Sequence, residues 1–175
     1  MKKGLYIMML VLTVSFVIAL LWDKIPIISN SVHFVLDPTF GKLLQLDRIG
    51  GFIAIIFVIT LAITLIQKFM SDQEALKELR EEQKRMQGEM KQYKDDPKKM
   101  MEIQKKQLES IPKSFDLTTK PLIYTSIPII LFFRWFNDVF KTIGDDKILG
   151  LNWIWAYLIT SIILSIILRK ILKVY

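Results

Sequence analysis

Four long apolar stretches dominate the pattern of hydrophobic and polar positions along the chain. They cover residues 4–22, 49–70, 121–140 and 149–172. Each stretch approaches the roughly 20 residues that a helix needs to cross about 30 Å of hydrocarbon. The pattern predicts an all-α membrane protein with three core transmembrane helices, the last three stretches, and an additional N-terminal hydrophobic segment.

The N-terminal segment, residues 1–22, allows two interpretations. Lys2 and Lys3 followed by an apolar run are also typical of a signal peptide. The run is longer than the usual signal-peptide core of about 7–15 residues. No A-x-A cleavage pattern follows Trp22. An uncleaved anchor is therefore favoured, and a cleaved signal segment is the alternative.

The distribution of basic residues predicts the orientation. Residues 71–120 contain twelve Lys and Arg against eleven Asp and Glu. Further cations stand near the two ends of the chain, at Lys2, Lys3, Arg169, Lys170 and Lys173. By the positive-inside rule, both termini and residues 71–120 face the cytoplasm. The sequence thus predicts a multi-pass protein of the cell membrane, with residues 23–48 as an amphipathic connection on the outer side.

Residues 71–120 have the spacing of a helical hairpin. Ser71 and Glu74 predict a capping box at the start of a first helix. Asp96 and Pro97 predict the start of a second helix, which ends before Pro112. Seam positions recur at spacings of three and four, at Leu76, Leu79, Gln83, Met86, Met90 and Tyr93, and then at Met101, Gln104, Leu108 and Ile111. This repeat predicts a cytoplasmic, antiparallel coiled-coil hairpin.

Methionine is concentrated in the hairpin, at Met86, Met90, Met100 and Met101. Because methionine is unbranched and soft, these side chains could hold varied client or partner segments. The alternative is that they pack the hairpin against itself.

Polar residues lie at similar depth in all three predicted core spans. Thr60, Thr64 and Gln67 share one face of a helix, and Lys68 adjoins them. Ser161 and Ser165 are again four residues apart, with Arg169 four residues further on. The candidate groove-lining residues are Thr60, Thr64, Gln67, Lys68, Tyr124, Thr125, Ser126, Arg134, Ser161 and Ser165. The pattern favours either close helix packing or a hydrated groove.

Arg134 is the charge that most needs an explanation, since it lies inside the apolar stretch 121–140. A cation in the hydrocarbon costs at least about 2.5 kcal/mol, so it must face protein or water. Asp138, four residues on, is the nearest candidate partner. Arg134 either reaches the outer headgroups together with Asp138 or faces a groove.

The hairpin between the first two core spans and the stretch KPLIYTSIPIILFFRWF at 120–136 resemble the YidC/Oxa/Alb insertase superfamily. The similarity is to its archaeal YidC-like branch, which is also related to the third subunit of the ER membrane protein complex. It covers residues 30–172 and includes the pattern P-x-x-Y-x-x-I-P-I-I at 121–130. Bacterial relatives carry a groove arginine on the first core span, where this chain has Gln67 and Lys68 near the inner end.

The resemblance implies a membrane insertase and chaperone, in which a polar groove open to the cytoplasm and to lipid receives the client. The implied partners are nascent membrane-protein segments and the lipid bilayer, with the ribosome or further insertase subunits as additional candidates. No nucleic-acid specificity, cofactor or metal is expected. No P-loop and no catalytic constellation is found in the sequence, so an enzyme is not predicted. A coiled-coil membrane scaffold and a small channel or transporter subunit remain alternatives.

Overall fold

The computed structural model describes residues 2–174, with side chains from Tyr6 onward. The helices are α1 (Lys2–Leu21), α2 (Pro26–Leu36), α3 (Lys42–Leu46), α4 (Arg48–Met70), α5 (Gln73–Gln92), α6 (Pro97–Ile143) and α7 (Trp153–Leu172). A single π-helical turn, Asp37–Gly41, joins α2 to α3. Strands β1 (Lys147–Ile148) and β2 (Leu151–Asn152) pair antiparallel between α6 and α7. The predicted all-α class is confirmed, since this short ladder is the only sheet in the described part.

Two helices of the described chain, α4 and α7, are long and apolar enough to cross a membrane. A third crossing results if Tyr6–Leu21 and Pro26–Leu46, which meet at a bend of 93°, form one broken span. The chain is therefore a membrane protein with two or three helices of spanning character. The predicted span at residues 121–140 lies within α6, which is not among the helices long and apolar enough to cross a membrane. Polar residues and prolines, among them Pro128, Arg134 and Asp138, interrupt its apolar stretch.

Helix α6 runs for 47 residues through Pro112, Pro121 and Pro128. The predicted helix end before Pro112 is therefore wrong, and the second hairpin helix continues into the stretch 121–140. Each proline removes one backbone hydrogen bond, but packing on both sides can hold such a helix together. Here α5 packs against the first part of α6, and α1 packs against the later part.

The paired helices α5 and the first part of α6 form the hairpin of this structure. Asp96 caps α6 as predicted, with its carboxylate accepting from the backbone N–H of Lys98 and of Lys99. The first helix, however, is capped by Asp72 and not by Ser71: Asp72 Oδ1 accepts from the N–H of Ala75 at 3.0 Å. The two helices run antiparallel, because Gln107 contacts Met90 and Lys99 lies over the ring of Tyr93.

The hairpin seam is as predicted on α5 and shifted by one residue on α6. Leu79 and Met86 are buried on α5. On α6, Ile103 is buried and Gln107 Nε2 donates to Met90 Sδ, so the seam follows Met100, Ile103, Gln107 and Ser110. The predicted residues Met101, Leu108 and Ile111 are 72%, 65% and 56% exposed. They form an outward apolar stripe.

An aromatic cluster closes the end of the bundle where α6 finishes and α7 begins, called here the aromatic end. Phe52 packs edge-on against Phe136 and Phe140, and Trp153 stacks on both of these rings. All four side chains are buried. The opposite end, where α4 leads into α5 and α7 finishes, is called the hairpin end.

The turn after α6 is tied back to the start of α4. Arg48 Nη1 donates to Asp145 Oδ2 at 2.8 Å, and the backbone N–H of Lys147 donates to Asp145 Oδ1 at 3.0 Å. The hydrogen bond from Lys147, and then that from Arg48, hold the pKa of Asp145 below its usual range. The turn thus carries a carboxylate that stays ionised while it anchors α4.

Candidate functional site

Two adjoining cavities lie at the hairpin end of the bundle. The larger, of about 800 Å³, lies between α4, α5 and the part of α7 from Tyr157 onward. The smaller, of about 380 Å³, lies between α4, α5 and α6. Arg80 and Arg169 line both cavities and therefore stand where the two meet.

At the aromatic end, α7 contacts α6 through aromatic rings. Phe133 packs against Tyr157, and Phe136 packs against Trp153, both in the first half of α7. Further along, α7 packs against α4. The larger cavity is lined by α4, α5, α7 and the residues just after α7, with no α6 side chain. Most of α7 lies outside the bundle, since only 11% of its most apolar 18-residue stretch is buried.

A hydrogen bond between two spanning helices crosses the junction of the cavities. Arg169 Nη2 donates to Gln67 Oε1 at 2.6 Å. The backbone carbonyl of Gln67 also accepts from Gln73 Nε2 at 2.9 Å, so α4 is fixed to the start of α5 at the same point. A charge-assisted hydrogen bond of this kind is about twice as strong as a neutral one. The guanidinium is thus held at the inner wall of both cavities.

The predicted groove residues divide into three groups. Thr60, Ser161 and Ser165 line the larger cavity. Gln67 and Thr125 line the smaller one. Lys68, Tyr124, Arg134, Thr64 and Ser126 line neither cavity.

Thr64 and Ser126 are buried between helices, and their hydroxyls are already used. Thr64 Oγ1 donates to the carbonyl of Thr60 at 2.7 Å, and Ser126 Oγ donates to that of Ile123 at 3.2 Å. Such bonds within one helix satisfy a hydroxyl without water. These two residues serve packing in the observed fold, whereas Ser161 and Ser165, which are partly exposed, border open space.

Arg134 lies toward the aromatic end, away from both cavities. Its Nη2 pairs with Asp23 Oδ2 at 2.5 Å, and its guanidinium lies 5.8 Å from the ring centre of Trp22. The predicted partner, Asp138, is instead bonded to Trp22 Nε1 at 2.5 Å. Arg134 therefore joins α6 to the segment after α1, and the exposed carboxylate of Asp23 places this pair at the surface.

Asp138 belongs to a chain of polar contacts that ties α1 and α2 to α6. His33 Nε2 lies 3.5 Å from Asp138, and His33 Nδ1 lies 3.0 Å from Asp37. Asp37 in turn accepts from Trp135 Nε1 at 2.7 Å. Both indole N–H groups belong to buried side chains, so these carboxylates satisfy donors that water does not reach.

Replacing Asp138 by alanine is expected to lower the free energy of unfolding by about 2 kcal/mol, because the buried N–H of Trp22 loses its acceptor. Asp116→Ala, at an exposed site on the same helix, is expected to change it by less than about 0.5 kcal/mol. Unfolding in micelles by titration with sodium dodecyl sulfate measures both. An equal loss of stability in the two variants would show that the buried N–H of Trp22 does not need Asp138 as its acceptor.

Sequence reasoning missed Arg80 and Arg169 as site residues. Arg169 continues the spacing of four that Ser161 and Ser165 begin, yet it is not among the predicted groove-lining residues. Arg80 has no such signal, because it is one of many charged residues on α5. It reaches the cavity only because the fold brings α5 to the same space as α7.

The site therefore offers hydroxyl, amide and guanidinium groups in open space between membrane-spanning helices. Hydrogen bonding and charge stabilisation are what such groups provide. Within residues 2–174, no three His, Asp or Glu side chains come together as possible metal ligands. No protein-family model, curated protein or solved structure matches the chain.

Proposed function

We propose that this protein is a membrane insertase that helps hydrophobic segments enter the bilayer through a polar groove formed by the two cavities. The observation that carries the proposal is the larger cavity, in which Thr60, Ser161, Ser165 and Arg169 lie on the two helices of spanning character. A polar space between helices of spanning character can accept polar groups of another chain at the depth of the membrane.

In the proposed topology, the hairpin and both termini are cytoplasmic in the cell membrane. The basic residues of 71–120 and of the chain ends support this orientation. Residues 121–140 are then a third core span that packs against α1 and α2, and its Arg134 pairs with Asp23 in the segment between these two helices. Under this topology the cavities open to the cytoplasm, and the aromatic end closes the outer side.

The mechanism follows from the cost of taking polar groups through hydrocarbon. An unsatisfied polar group there costs several kcal/mol. The client's polar flank enters the groove from the cytoplasm, where hydroxyls and the Arg169 guanidinium replace part of its hydration. Its apolar part lies against the lipid-facing side of α7, where Ile163 and Ile167 are exposed outside both cavities. No nucleotide is needed, because partitioning into lipid supplies the driving force.

The bond between Gln67 and Arg169 supports the resemblance described above. The bacterial relatives carry a groove arginine on the first core span, which corresponds to α4 here. In this chain α4 offers Gln67, and α7 brings a guanidinium to it at 2.6 Å. A cation thus reaches the same span from a different helix.

An insertion assay tests the proposal. The full chain is reconstituted in liposomes, and a single-span client with a short polar N-terminal tail is synthesised in their presence. Replacing Thr60, Ser161 and Ser165 together by leucine is expected to lower the protease-protected fraction about twentyfold, at roughly 0.6 kcal/mol per lost hydrogen bond.

The matched control replaces Thr13, Thr142 and Thr160, which lie outside the two cavities, by leucine. Its insertion yield is expected to stay within twofold of the unmodified chain. Cysteines introduced at 161 and 165 are also expected to react with a water-soluble maleimide faster than cysteines at 64 and 126. If the variant with leucine at 60, 161 and 165 inserted the client as well as the unmodified chain, the proposed groove would be contradicted.

The exposed stripe of Met101, Leu108 and Ile111 favours a second candidate function, a membrane scaffold that docks a partner on the hairpin. Met101, at 72% exposure, is the hairpin methionine most open to such contact, whereas Met86 is buried in the seam. Deleting residues 76–111 separates the two functions. A scaffold loses partner binding with insertion unchanged, whereas the insertase retains only the part of its activity that does not need the hairpin.

A further inference from the structure

Four cations converge on the larger cavity at the hairpin end. Arg80 comes from α5, Arg169 and Lys170 from the last turn of α7, and Lys173 from the residue that follows α7. No Asp or Glu lines this cavity. The four side chains therefore repel one another across a space of about 800 Å³.

These cations have no acidic partner in the part of the chain that the structure describes. The ion pairs of α5 join Lys77 to Glu81 and Arg85 to Glu89, and neither includes Arg80. None of the ion pairs among the described residues includes Arg169, Lys170 or Lys173. Arg169 bonds to the neutral amide of Gln67, which leaves its charge uncompensated. An anion bound here would relieve the repulsion.

The remaining wall of the cavity indicates which anion. Ile162 and Ile166 line the same space, and they are 57% and 64% exposed. Lys170 follows Ile166 by four residues, so it lies on the same face of α7, about 6 Å further along the axis. The cations therefore lie beyond the isoleucines along the same face of α7. A molecule that carries an anionic group at the end of an apolar chain fits this arrangement.

We propose that the larger cavity binds an anionic phospholipid of the adjacent leaflet. Its phosphate contacts Arg80, Lys170 and Lys173, and an acyl chain lies along Ile162 and Ile166. Basic pockets between spanning helices are suited to such headgroups, since each Lys or Arg near the surface strengthens the attraction. Free phosphate would use the cations but not the isoleucines. The lipid site does not depend on the proposed insertase function.

Native mass spectrometry of the full chain in detergent tests the proposal. With equal amounts of phosphatidylglycerol and phosphatidylcholine, we expect the bound lipid to be phosphatidylglycerol. Replacing Arg80, Lys170 and Lys173 together by glutamine should weaken this binding by about tenfold or more. A control replaces Lys68, Lys113 and Lys120 by glutamine, which removes the same charge at the hairpin end but outside the cavity. This control should bind as the unmodified chain does.

Two further arms separate the lipid from a free anion. Ile166→Asn keeps all four cations and should still weaken phosphatidylglycerol binding, whereas glycerol phosphate at the same concentration should not compete with the lipid. Competition by glycerol phosphate would overturn the lipid site in favour of a small-anion site. Equal loss of binding in the two glutamine variants would overturn it in favour of unspecific attraction. Circular dichroism confirms that each variant remains helical.

Discussion

Replacing Gly51 by alanine is expected to lower the free energy of unfolding by about 3 kcal/mol. A Cβ at this position would lie 2.4 Å from the carbonyl oxygen of Leu43 and 2.6 Å from its carbonyl carbon. Both are backbone atoms of α3, so no side-chain rotation relieves the contact. The variant must push α3 away from α4 and so disturb Leu44, which is 3% exposed.

The other glycines of the chain supply the controls. At Gly88, in the middle of α5, an added Cβ meets nothing within 4 Å. Gly88→Ala is therefore expected to stabilise the helix by about 1 kcal/mol. At Gly50 the Cβ would meet the side-chain oxygen of Asp47, which can turn aside at the cost of its cap on Ile49. In titration with sodium dodecyl sulfate, Gly88→Ala should be the most stable variant, Gly50→Ala should be intermediate and Gly51→Ala should be the least stable. A stable Gly51→Ala would mean that α3 moves freely.

The close approach at Gly51 was not predictable from sequence. The pair of glycines at 50 and 51 marks the start of a spanning helix, but nothing local shows that a short helix from residues 42–46 lies against it. The apolar character of residues 49–70 and 149–172, by contrast, follows directly from composition, and both became helices of spanning character. The local sequence predicts where a spanning helix lies, but not which other helices pack against it.

The hairpin illustrates a second limit. Two sets of residues on α6 have the same spacing of three, four and three. One set is Met101, Gln104, Leu108 and Ile111, and the other is Met100, Ile103, Gln107 and Ser110. The first set is more apolar and was predicted as the seam, yet the second faces α5. Because α6 continues through Pro112 as one helix, the face that it turns toward α5 is tied to the face that it turns toward the bundle, and the local spacing does not contain this constraint.

In the polar site too, positions on one helix were predictable from spacing, whereas contacts between helices were not. The spacing of Ser161 and Ser165 predicts that they share one face of a helix, and both line the larger cavity. The partners of charged residues were not predictable, since Arg134 pairs with Asp23 and Arg169 with Gln67, across 111 and 102 residues. Sequence spacing finds partners on one helix only. Spacing along α7 therefore points to Arg169, whereas Arg80, on a different helix, has no signal in the local sequence.

Replacing Arg169 by leucine is expected to reduce client insertion by between about tenfold and a hundredfold, if hydrogen bonds to a charged group contribute roughly 1.5–3 kcal/mol. Arg169 lines both cavities, and its loss removes the cation at their junction together with the tie to Gln67. Arg169→Lys should keep part of the activity, because an ammonium keeps the charge but lacks the planar fork of donors. The insertion assay in liposomes measures all three proteins.

Gln67→Leu separates the charge from the hydrogen bond. It keeps the guanidinium in the groove but removes its acceptor on α4, so insertion should fall less than in Arg169→Leu. Arg85→Leu is the matched control, since Arg85 is an exposed arginine of α5 that pairs with Glu89 outside both cavities. If Gln67→Leu were as damaging as Arg169→Leu, the pair would act by holding α4 to α7. If Arg169→Leu inserted clients as well as Arg85→Leu, the cation would have no part in insertion, and the groove would act through its hydroxyls alone.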